Sequence, residues 1–64
     1  MSHAKAIAAV EDRAFAARKT VAAVCDKAGV YHSTWSRAKS RGVVSIDVLL
    51  RMERALDAFE GEKQ

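Results

Sequence analysis

Apolar residues recur along this chain at the three- and four-residue spacing of helices, and no stretch alternates as a strand would. Residues 4–17 place Ile7, Val10, Ala14 and Ala17 on one stripe, which predicts a first helix. Val21, Val24 and Ala28 predict a short second helix, with Thr20 as its N-cap and Gly29 as the left-handed residue that ends it. Val30 then points inward. Tyr31, Trp35 and Ala38, at i, i+4 and i+7, draw the apolar seam of a third helix that stops at Ser40-Arg41-Gly42. Ser45 caps a last helix, Ile46 to Phe59, with Asp47 in its first turn and Val44 and Leu49 spaced as a hydrophobic staple. The pattern predicts an all-α, four-helix domain over residues 1–64, with the central motif at about 20–40 and the last helix at about 45–60.

Two apolar features exceed what one small core needs. The last helix carries Ile46, Leu49, Leu50 and Leu56 on one strip and Val48, Met52, Ala55 and Phe59 on an adjacent one. Together they are wider than the roughly 100° stripe that faces a single core. The second strip is expected to form a two-fold dimer interface, unless the first helix covers it within one subunit. Phe15 lies off the first helix's stripe, either folded over the core's edge or offered to a second subunit.

The polar side of the third helix is distinctive. His32, Ser33, Ser36, Arg37, Lys39 and Ser40 supply hydrogen-bonding groups and cations with no carboxylate, whereas a helix needing only solubility mixes Glu with Lys. At these residues, over about Thr20 to Leu56, the chain resembles the helix-turn-helix of the Cro and phage-repressor (lambda-repressor-like) family of DNA-binding proteins. The pattern is Thr20, the run from Val21 to Cys25, Gly29-Val30, Ser33-Thr34, Trp35 and Ser36-Arg37. The resemblance implies that Cys25 is small because two helices cross there, that Gly29 makes the turn, and that Trp35 anchors the recognition helix. It also implies that bases are read from His32, Ser33, Ser36 and Arg37. Two positions depart from the family: Val21 and Ala22 stand where a phosphate-gripping polar residue is common. Tyr31 stands where Ser or Thr commonly opens the recognition helix, which moves the expected start toward His32 or Ser33.

Charge adds weight to the middle of the chain. Residues 1–17 balance Lys5 and Arg13 against Glu11 and Asp12. Residues 18–41 set six cations, Arg18, Lys19, Lys27, Arg37, Lys39 and Arg41, against Asp26 alone, a net of +5. Residues 42–64 set three cations against five carboxylates, so the overall +3 comes from the motif. Clustered cations suit a polyanion, because counterion release supplies much of the affinity for phosphates. Arg37 is the expected guanine reader, its planar fork matching O6 and N7, with a phosphate clamp as its other role. Phosphate contacts are expected from Arg18, Lys19, Thr20, Thr34, Lys39, Ser40 and Arg41. For Arg18 and Lys19 the other reading is a solvated linker, and for Arg41 a cation complementing a helix C-terminus.

Size and composition narrow the remaining classes. Sixty-four residues make one domain near the lower limit for folding without staples, and its apolar half is rich in alanine. One cysteine excludes an internal disulfide, and Cys25 reads as a small buried hydrophobe in a reducing, cytoplasmic setting. No Cys/His cluster has metal-ligand spacing, so neither metal nor cofactor is expected. No apolar run approaches the ~20 residues of a membrane span, and no leader pattern opens the chain. His3 is assigned no role. No spacing joins a nucleophile to a base, so neither an enzyme nor a small-molecule ligand is expected. The sequence thus predicts a regulator of double-stranded DNA, a homodimer on an inverted repeat acting as a repressor by occupancy. Its rival is a small helical protein-binding module, antitoxin-like or a phage inhibitor, whose basic face docks on an acidic partner.

Overall fold

The computed structural model describes residues 3–61; the sequence from Glu60 to Gln64 reads as a polar end, of which residues 62–64 lie outside the described residues. Four helices follow in order: α1 (Ala4–Ala16), α2 (Val21–Ala28), α3 (His32–Arg41) and α4 (Ile46–Gly61). No strand occurs among the described residues. α4 packs across α2 and α1, α2 also meets α3, and the core lies where these surfaces converge.

Local chemistry sets the boundaries. The Thr20 hydroxyl accepts the Ala23 N–H at 3.0 Å, and the Ser45 hydroxyl accepts that of Val48 at 3.2 Å. Each satisfies a first-turn donor that the helix itself leaves without an acceptor. Gly29 and Gly42 close α2 and α3 at φ 73°. A Cβ on Gly29 would meet nothing within 4 Å, so glycine is favoured there by φ and not by crowding. α1 ends differently: Arg18 takes the left-handed conformation at φ 60°, while the Lys19 N–H returns to the Ala14 carbonyl at 2.9 Å. A side chain other than glycine is strained there by about 1–2 kcal/mol.

The α1 stripe is buried as expected: Ile7, Val10, Ala14 and Ala17 all face the core. Trp35, Met52, Leu56, Val24 and Cys25 form its most enclosed part. Burying an indole removes roughly 150–250 Å² from water, or about 4–6 kcal/mol at the usual coefficient. That is comparable to the whole stability of so small a domain. Cys25 sits among these residues, and burial, with a smaller contribution from Glu11, pushes its thiol pKa up.

Three expectations about apolar positions are corrected. Tyr31 is 82% exposed and not part of the seam. It precedes α3 in extended geometry (φ −65°, ψ 135°), so helical periodicity does not apply to it, and Val30 takes the inward place. Phe15 is 85% exposed, so its ring does not fold over the core's edge. On α4, Met52 and Ala55 are fully enclosed within one chain, and Val48 and Phe59 pack against the same core. The strip assigned to a dimer is therefore the monomer's own core face, covered by α2 as well as α1. The strip expected to face the core splits: Leu56 and Leu49 turn inward, while Ile46 and Leu50 face out.

Candidate nucleic-acid interface

The exposed side of α3 is built by what its other side must bury. Trp35 and Ala38 point into the core, and His32, Ser33, Ser36, Arg37 and Ser40 consequently stand in solvent. The sequence-derived base-reading set is thereby gathered on the outer surface of one helix, spanning residues 32–37. Thr34 and Arg41 lie on the flank that turns toward α4, where they line a groove with Val43 and Val48, and Arg37, though exposed, borders the same groove. Neither α2 nor α3 has an acidic residue in its own first turn, so no carboxylate within either helix offsets the partial positive charge of its N-terminus.

α3 is held by contacts beyond apolar packing. The indole N–H of Trp35 donates to Glu11 Oε2 at 3.2 Å, and the other carboxylate oxygen of Glu11 pairs with Lys39 Nζ at 3.2 Å. Trp35 and Lys39 are one turn apart on α3, so a single α1 side chain grips that helix at two levels and opposes its rotation about its own axis. The surface of α3 carries no carboxylate of its own, yet one of its cations is answered from the neighbouring helix. Lys39, expected from the sequence to contact phosphate, is thereby engaged as a strut between α1 and α3.

His3, assigned nothing from sequence, closes the other end. Its backbone N–H donates to the Gly42 carbonyl at 2.7 Å, and its ring Nδ1 accepts the Val44 N–H at 3.0 Å. The start of α1 thus clamps the connection between α3 and α4. Glu11 offered a faint sequence signal, since it adjoins the buried stripe at Val10 and a buried indole needs an acceptor. For His3 there was none: its partner lies 41 residues away.

The remaining cations are distributed unevenly. Arg18 and Thr20 are exposed at the start of α2, beside the phenyl ring of Phe15. Lys19 Nζ sits 4.8 Å from the centroid of Phe59, a cation–π contact that directs it toward α4. Arg37 is exposed and Arg41 lies at the last position of α3. Arg13, in contrast, is committed to structure: its guanidinium joins Asp57 and Glu60, each at 2.9 Å, and ties α1 to α4.

Among the described residues no group of His, Cys, Asp and Glu is arranged to hold a metal ion. No described helix is long and apolar enough to cross a membrane. No protein family, curated protein or solved structure matches this chain.

Proposed function

We propose that this chain is a sequence-specific, double-stranded DNA-binding regulator of the helix-turn-helix type, whose α3 enters the major groove. One observation carries the reading: an outward helix surface of hydroxyl, imidazole and guanidinium groups, free of carboxylates, on a helix anchored by a buried tryptophan. A groove-reading helix needs donors and acceptors at base edges, and it needs rigidity so that they meet those edges in register. Ser33, Ser36 and Arg37 face outward to read, with His32 at the edge of the set. Arg18, Arg41, Thr20 and Ser40 surround them as contacts to the phosphate backbone, which position the helix and carry no sequence information.

With α3 in the groove, the first turn of α2 approaches the adjacent phosphates with two backbone donors, those of Val21 and Ala22, ahead of the one used by Thr20. Regulation then follows from occupancy of the site, most simply repression, and two copies would read an inverted repeat with centres about 34 Å apart. The test is selection from random duplexes, followed by competition at fixed salt. A selected site should exceed random duplex by at least about 10³-fold. Binding that ignores base sequence, or no binding to duplex at all, would transfer the basic surface to an acidic protein partner.

A further inference from the structure

Phe15 is 85% exposed, more than any other large apolar side chain among the described residues. A chain with so small a core gains nothing in stability from a phenyl ring left in water. Its position on α1 narrows what the ring is for. Glu11, one turn earlier on the same side of that helix, holds Trp35 and Lys39 of α3. Phe15 therefore stands on the side of α1 from which Glu11 reaches α3, one turn closer to the start of α2. There the ring borders a groove with Ala16, Arg18, Lys19 and Thr20, whose lining among the described residues holds two cations and no carboxylate.

We propose that Phe15 is a contact to duplex DNA: its ring packs on the deoxyribose of the strand whose phosphates Arg18 and the first turn of α2 meet. The inference rests on the proposed function and adds α1 to the surface that touches DNA. Cations and backbone donors answer phosphate oxygens. Between successive phosphates, however, the strand shows the C–H surface of its sugars, and an apolar group covers that surface favourably by displacing water. Every nucleotide carries this sugar, so the contact adds affinity and no sequence preference. Asp12, the exposed carboxylate a turn back along α1, lies on the ring's side away from Glu11 and does not line the groove. A lipid surface fits less well, since the ring's apolar neighbours on that side of α1 are Ala4 and Ala8 and not a second large side chain. An acidic protein would meet the same two cations, but the ring also stands between the helix proposed to read bases and the start of α2, which makes DNA the continuous partner.

The test compares Phe15→Ala, Phe15→Leu and Arg18→Gln with the wild-type chain on the selected duplex and on random duplex, across a salt series. Phe15→Ala should weaken binding about tenfold on both, the effect of roughly 60 Å² of apolar surface no longer leaving water. Its salt dependence should match that of the wild type, because an apolar contact releases no counterion, whereas Arg18→Gln should flatten the logarithmic slope by about one. Phe15→Leu should keep most of the affinity that alanine loses. Helical circular dichroism and sedimentation should stay at wild-type values in both Phe15 variants. Binding by Phe15→Ala equal to wild type on both duplexes would overturn the proposal and leave the ring to an acidic protein. A loss confined to the selected site, or a changed salt slope, would overturn it too. A Phe15→Ala chain that sediments differently from wild type would assign the ring to a second copy instead. A wild-type chain that binds no duplex would end the proposed function together with this contact, while the other failures leave that function standing.

Discussion

Removing the Glu11 carboxylate tests how α3 is held. Trp35 is 1% exposed, and Glu11 Oε2 at 3.2 Å is the acceptor for its indole N–H. In Glu11→Ala that donor is left in a buried place without a partner, which costs about 1–3 kcal/mol. Loss of the half-exposed Lys39 pair adds only about 0.2–1 kcal/mol, because solvent screens it. Glu11→Gln keeps a carbonyl within reach of the indole and loses the charge, so its cost should be about 1 kcal/mol, the difference between a charged and a neutral acceptor. The chain has a single tryptophan, so its fluorescence reports the same site during urea denaturation. With a slope near 1 kcal/mol per molar urea for so small a domain, the alanine midpoint should fall by roughly 1–3 M, and the glutamine midpoint by clearly less. An alanine variant within about 0.5 kcal/mol of wild type would refute the indole contact. Equal losses for alanine and glutamine would refute the ranking of the two contacts.

Three further outcomes follow from the same contacts. Arg37→Ala should cost about 1–3 kcal/mol of binding and relax one base position in competition assays; an equal loss on every sequence would reduce Arg37 to a phosphate contact. Arg18→Gly should raise thermal stability by up to about 1 kcal/mol, because glycine occupies φ 60° without strain, while weakening DNA binding on all sequences alike. Cys25 holds its proton more tightly in the folded chain than in the unfolded one, so folding is favoured below the ordinary thiol range and disfavoured as pH climbs through it. Urea titrations across alkaline pH should show stability falling there, and Cys25→Ala should remove that component of the slope.

The contrast between Arg18 and the two glycine caps bears on function. Gly29 and Gly42 occupy the left-handed conformation at no steric cost, and the sequence announces both as helix stops. At the end of α1 the same conformation is imposed on an arginine. Nothing packed against Arg18 requires it, since the residue is exposed, and glycine would satisfy the backbone better. Strain retained at an exposed cation beside a helix N-terminus is accounted for if the guanidinium contacts phosphate.

What could be read from sequence divides by range. Thr20, Gly29, Gly42 and Ser45 act on donors and carbonyls within a few residues, so residue type and spacing suffice to place them. The outward surface of α3 was equally legible, because Trp35 and Ala38 fix the inner side of a helix and the outer side follows by rotation. The interior of α4 was not. Its inward arc runs from Ala55 through Val48, Phe59, Met52 and Leu56 to Leu49, about 120° at 100° per residue, and it takes the whole of the second apolar strip seen in the sequence but only half of the first. Periodicity gives the width of an apolar arc, but only the approach of α1 and α2 decides which part of it is covered. Glu11 with Trp35 and His3 with Val44 are likewise set by that approach, across 24 and 41 residues. These two contacts also bracket α3, one on its flank and one just beyond its end. The surface that would read DNA is thus encoded locally, while its orientation depends on α1; substitutions at His3 and Glu11 should change affinity without altering which bases are preferred.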